Sequence, residues 1–250
     1  MQVLEAQQTR VHHMPGLLAS AEVAAILALA QEVQATDPEA TLTFSDTVQL
    51  SQRGNWQTIY LHSGGAFQRK LPEIEEKLRA AVATADAAQG WSLMGRRHTA
   101  RSRSGEVVHV PVSVRTAEMH RVEAGGSLPE PKHYDAGSLI TIDVMLSTPG
   151  DFDGGVFRTL ESTALDAEEC FEEYPQFAQG DAMVFVSTKY HCVAPVTRGT
   201  RRVCVLEYWA GEPRVCPHRC KMPIGACHYR RPPPDEQEDG GGGSTSSDSD

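Results

Sequence analysis

HYDAGSLITIDVMLSTPGDFDGGVF, residues 133–157, opens on a His-x-Asp pair, enters the β-rich run SLITIDVMLS, and breaks at Pro149-Gly150 and Gly154-Gly155. In extended chain, residues i and i+2 share a face, so His133 and Asp135 can reach one point in space. Glycine and proline pairs punctuate the chain as turns. The same grammar repeats on either side. EVVHVPVSVRTAEMHRVEAG precedes the stretch, and GGVFRTLE, DAMVFVSTKYHCVAPV and RRVCVLEYWAG follow it. Turn residues at Gly125-Gly126, Gly180-Asp181 and Arg198-Gly199 divide these runs. Many short strands at this spacing predict a sandwich, barrel or jelly roll rather than a βαβ sheet.

Before residue 105 the pattern is mixed. PGLLASAEVAAILALAQEVQA carries apolar residues at 23, 26, 27 and 30, the repeat of an amphipathic helix, with Ser20 as its N-cap. LPEIEEKLRAAVATADAAQ predicts a second helix, with Pro72 in its first turn and Gly90 beyond its end. TVQL and WQTIYLH between them suggest short strands. The expected organisation is a support region over 1–104, a catalytic core over 105–212, an extension over 213–231 and a disordered tail over 232–250.

At 250 residues with 40% apolar content, the chain is long enough for one domain with a full core. Its net charge of −10 is concentrated in DEQEDGGGGSTSSDSD, which holds six acids and no base. The rest of the chain carries no strong nucleic-acid signal. Neither a secretory pattern nor an apolar run long enough for a bilayer is present, so the expectation is an intracellular, soluble protein.

His133 and Asp135 leave a metal site incomplete, and His191 follows on another predicted strand. An H-x-D pair alone arises by chance in a chain with ten histidines. Two histidines and one carboxylate, however, make the facial triad of non-haem iron(II) oxygenases. Arg201 lies ten residues beyond His191, across the turn PVTRGT. Antiparallel strands joined by that turn would bring it into the same cavity, where a guanidinium can grip a carboxylate with two parallel hydrogen bonds.

Residues 115–210 contain H-x-D, a strand, a GG-x-F turn, G-D-A-x-x-F and H-x-x-x-P-V-T-x-G-x-R, in that order. This run resembles the iron(II)/2-oxoglutarate-dependent oxygenase superfamily, and within it the prolyl 4-hydroxylase-like branch. The resemblance implies an α+β protein, a double-stranded β-helix (jelly roll, cupin-like) core with N-terminal helices packed against it. It implies Fe(II) held by His133, Asp135 and His191, 2-oxoglutarate as cosubstrate, O2, and ascorbate as an auxiliary reductant. Arg201 would bind the far carboxylate of 2-oxoglutarate, Arg202 would point to the other face, and Thr141 would add a hydroxyl to that carboxylate. The reaction would hydroxylate a peptidyl side chain such as proline, releasing succinate and CO2. Two departures stand out. Val122 occupies a position where many relatives carry tyrosine, and an apolar residue of TIDVMLS replaces a second tyrosine that often holds the cosubstrate.

Two other readings stay open: the same chemistry on a small metabolite or nucleobase, and a non-catalytic metal-binding jelly-roll module. Cys216, Cys220 and Cys227, interleaved with His218 and His228, form a second candidate cluster. Their spacing is not that of common zinc-finger pairs, so a disulfide or free thiols are favoured over zinc. Cys192 and Cys204 fit strand positions. GRRHTARSRSGE, with Arg96, Arg97, Arg101 and Arg103, reads as a solvated basic loop, and Trp56 and Trp91 as packing residues.

Overall fold

Along β8 (Ile140–Met145), Ile140, Ile142 and Val144 alternate with Thr141, Asp143 and Met145, and all six residues are buried. A strand buried on both faces requires a covering layer on each side. The computed structural model, which describes residues 3–44, 54–102, 104–161, 170–175 and 177–228, supplies both layers. TVQL, Arg103 and the acidic tail lie outside the described residues.

The large sheet runs β1 (His12–Met14), β12 (Ala182–Val186), β8, β14 (Val196–Ala210), β6 (Val112–Glu123), β3 (Trp56–Tyr60), β2 (Thr41–Phe44), with β9 (Phe152–Gly154) paired to the start of β14. The small sheet runs β11 (Phe171–Tyr174), β10 (Phe157–Leu160), β13 (His191–Val193), β7 (Leu128–His133). β4 (His98–Arg101) and β5 (Val107–Val110) form a separate hairpin. All the pairings are antiparallel. The molecule is α+β with a double-stranded β-helix core.

Beside α1 (Val3–Gln7) and α3 (Ala66–Lys70), two long helices, α2 (Ser20–Thr36) and α4 (Pro72–Gln89), cover the outer face of the large sheet. Val23, Ile26, Leu78 and Val82 share one apolar cluster with Ile140, Ile142, Val144 and Leu206. A second cluster, including Trp56, Val122, Phe157 and Phe185, lies between the sheets. Burying a large aliphatic or aromatic side chain is worth about 1.5–3 kcal/mol, so both layers hold the large sheet in place.

Several sequence expectations need correction. α2 is capped by Ala19, whose N–H donates to Glu22 Oε2 at 2.7 Å, so Ser20 is the first helical residue and not the cap. GRRHTARSRSGE enters the β4–β5 hairpin instead of staying a loop. LPEPKH, unmarked by alternation, forms β7, whose two prolines are tolerated because it is an edge strand. PVTRGT does not join paired strands. β13 belongs to the small sheet and β14 to the large, so the chain crosses from one layer to the other there. Among the described residues no helix is long and apolar enough to cross a membrane.

Candidate metal centre

His133 ends β7, His191 begins β13, and the two are direct cross-strand partners. Opposed positions bring side chains on one face within reach of each other. Their imidazoles meet edge to face, with ring centroids 5.0 Å apart. Asp135 follows on the loop after β7, where its backbone N–H donates to Ser187 O at 2.8 Å. Its Oδ1 is 3.6 Å from His133 Nε2, and its Oδ2 is 4.0 Å from His191 Nε2. One donor atom from each residue lies within 4.8 Å of the others, a spacing that suits a single ion.

The protonation states also suit metal binding. His191 Nδ1 is 3.0 Å from Lys189 O. A carbonyl only accepts, so Nδ1 carries the proton and Nε2 keeps its lone pair on the Asp135 side. Burial, helped by the nearby His133, draws the His191 pKa down to about 4 against the pull of Asp135. Burial would raise Asp135, but its hydrogen bond with His133 and the charges of His191 and Arg219 hold it well below the usual carboxylate range. The centre is therefore poised as neutral imidazole beside ionised carboxylate.

Thr141 is not directed as the resemblance implied. Its hydroxyl donates to Asp135 Oδ2 at 2.7 Å and meets Ser187 Oγ at 2.9 Å, so it orients the carboxylate at the centre. Strand alternation sends Asp143 to the inner face of the large sheet, where it lines the cleft shared by His133, Asp135, His191 and Arg201. Burial, reinforced by the negative charge of Asp135 and only partly offset by Arg201, pushes the Asp143 carboxyl up to about 8.

Arg201 is 1% exposed, and its Nε and NH2 find no hydrogen-bond partner among the described residues. Burial lowers its pKa to about 10, against the attraction of Asp143. A buried guanidinium with open donors is costly unless an anion completes it. Gly155 gives Arg201 its space: a Cβ there would lie 2.8 Å from Arg201 Cδ. Arg202, the alternate residue, is half-buried and outside the cleft. Val122 is fully buried in the inter-sheet cluster.

A charged group that sequence reasoning missed adjoins the centre. Arg219 donates to both carboxylate oxygens of Glu118 at 3.2 Å and to Asp135 Oδ1 at 3.4 Å. Its NH2 also lies 2.9 Å from Glu207 Oε1, off the hydrogen-bond direction. Glu207 Oε2 receives Ser138 Oγ at 2.6 Å and Arg115 NH1 at 3.3 Å. His120, 2.7 Å from Glu118, and Trp56 line the cleft too, which gives Trp56 a place beyond packing, whereas Trp91 lies in the helix-side core. The inward phase of β6 and β14 signals Glu118, His120 and Glu207. Nothing local signals Arg219, which lies beyond the last strand. Cys216, Cys220 and Cys227 gather with His218.

No protein-family model matches this sequence, and no curated protein matches it. Solved structures do. AviO1 from Streptomyces viridochromogenes Tue57 aligns over 83% of this chain and 93% of its own, at 17% identity and a TM-score of 0.53. The non-heme alpha ketoglutarate dependent epimerase SnoN from nogalamycin biosynthesis aligns over 84% and 81%, at 18% identity and a TM-score of 0.51. The viral collagen prolyl hydroxylase of Paramecium Bursaria Chlorella virus-1 aligns over 83% and 99%, at 12% identity and a TM-score of 0.49. At these identities the likeness to AviO1 and SnoN establishes architecture alone: the chain has the double-stranded β-helix fold found among non-haem, alpha ketoglutarate dependent enzymes.

Proposed function

We propose that this protein is an iron(II)- and 2-oxoglutarate-dependent oxygenase that hydroxylates an organic substrate. One observation carries the reading. A buried guanidinium with unmet donors shares a cleft with a cluster of two histidines and one carboxylate, and the two stand on opposite sheets. An anionic chelator with a second carboxylate answers both needs, and the donor set suits ferrous iron. SnoN, of the same fold, has been solved with Fe3+ and alpha ketoglutarate.

His133, Asp135 and His191 would hold the iron. The bound group would supply the redox step, in which one oxygen of O2 reaches the substrate and the other leaves in succinate as 2-oxoglutarate loses CO2. Arg201 receives the far carboxylate, and its planar fork fixes orientation as well as charge. Thr141 and Arg219 keep Asp135 in one rotamer. Asp143, neutral below about pH 8, avoids repelling an incoming dianion and keeps an O–H to donate. Phe157 and Phe185, with ring centroids 5.7 and 4.9 Å from that of His191, give the centre a dry wall.

The peptidyl-proline substrate implied by the resemblance rests on motifs that build the metal site, not on residues that would hold a peptide. The test is succinate formation from 2-oxoglutarate with Fe(II) and ascorbate. Asp135→Ala and His133→Ala should abolish it; full activity in either variant would refute the ligand set. Absence of turnover by the wild-type protein with peptide and metabolite libraries would favour a non-catalytic binding module.

A further inference from the structure

Beyond β14, Gly211–His228 contains no helix or strand and buries only Gly211, Arg214 and Cys220. A segment with so little apolar burial draws little order from a hydrophobic core, so a cross-link or a metal would do much to hold it in one conformation. Its tightest feature is a knot of donors. Cys216, His218, Cys220 and Cys227 place one ligand atom each within 4.8 Å of the others. His218 Nε2 is 3.2 Å from Cys227 Sγ, and the Met222 N–H donates to Cys220 Sγ at 3.4 Å. In a tetrahedral zinc site with Zn–S bonds of ~2.3 Å, ligand atoms stand ~3.5–3.8 Å apart. A backbone N–H on a ligating sulfur is the kind of second contact that stabilises thiolate. The sequence spacing argued for a disulfide or free thiols because it is not that of common zinc-finger pairs; the fold picks His218 from the two interleaved histidines and gathers all four donors.

Arg219 sits between two of these donors and points the other way. Its guanidinium reaches Glu118, Glu207 and Asp135, while the carbonyl of Cys220 accepts from Arg115 Nε at 2.7 Å. The backbone that closes the knot is therefore the backbone that aims Arg219. We propose that Cys216, His218, Cys220 and Cys227 bind a structural zinc ion, and that this ion fixes Arg219 as a positioning residue for Asp135. The second half rests on the ligand assignment above; the zinc site itself does not.

Zinc is counted by plasma mass spectrometry in the full-length double variant H133A/D135A, which lacks the first centre. One zinc per chain is expected, falling below a tenth when C216S is added. Co(II) in its place should show thiolate-to-metal absorption in the near ultraviolet. A zinc-free double variant, or four titratable thiols instead of six in denaturant, overturns the site. For positioning, Mn(II) binding is followed without oxygen by electron paramagnetic resonance. R219A should keep its zinc and bind Mn(II) roughly tenfold or more weakly, the loss typical when a partner of a ligand is removed. C216S should weaken binding similarly, and R219A/C216S no further, since both act through one contact. Additive losses, or no loss, would remove the positioning role. Zinc counting and succinate formation fail independently, so each claim can fall alone.

Discussion

Arg201 concentrates two opposed effects in one side chain. Buried with no hydrogen-bond partner at Nε and NH2 among the described residues, it costs stability on its own, yet it is the group that a carboxylate would complete. Arg201→Met should therefore raise the apo melting temperature while raising KM for 2-oxoglutarate by roughly 30- to 1000-fold, the ~2–4 kcal/mol expected when a buried charge partner is lost. A lower apo melting temperature, or an unchanged KM, would contradict the assignment. Arg201→Lys keeps charge but loses the fork, and should fall between. Asp143 adds a pH signature. Its carboxyl, raised to about 8 chiefly by burial, is neutral below that pH and ionised above it. Ionisation would place a negative charge beside the cosubstrate and engage Arg201 from within. KM for 2-oxoglutarate should thus rise above pH 8, approaching tenfold per unit, and Asp143→Asn should flatten the profile.

At the scale of elements, Gly199 sets where β14 changes partners, from β9 to β6 and β8. It has φ +75°, and a Cβ there would lie 2.0 Å from Asp151 O. Gly199→Ala should cost about 1–3 kcal/mol in urea unfolding and weaken 2-oxoglutarate binding, since Arg201 lies two residues on. Unchanged binding in a destabilised variant would separate the turn from the clamp. How much of this could be read from sequence depends on periodicity. Strand spacing was enough to group His133, Asp135 and His191, and Arg201 does share their cleft, but not by the hairpin that its turn suggested, because β13 and β14 belong to different sheets. Asp143 was hidden because β8 is buried on both faces, so its inner polar positions read as interruptions of an apolar run. β7 was hidden by its prolines, which an edge strand tolerates. Arg219 had no periodic frame at all, because the chain between Gly211 and His228 follows donors rather than a repeat.

In the whole molecule, the candidate iron ligands hang on the small sheet and its loop, while Arg201 stands on the large one. Trp56, Val122, Phe157 and Phe185 keep the layers apart. With Mn(II) already bound, 2-oxoglutarate at about 100 times its Kd should add ~2.7 kcal/mol, or roughly 5–10 °C in melting temperature for a chain of this size. Because its two ends are anchored on separate layers, the cleft works as a caliper. Oxaloacetate, one methylene shorter, and 2-oxoadipate, one longer, would each leave one jaw unmet, and should give less than half that thermal shift.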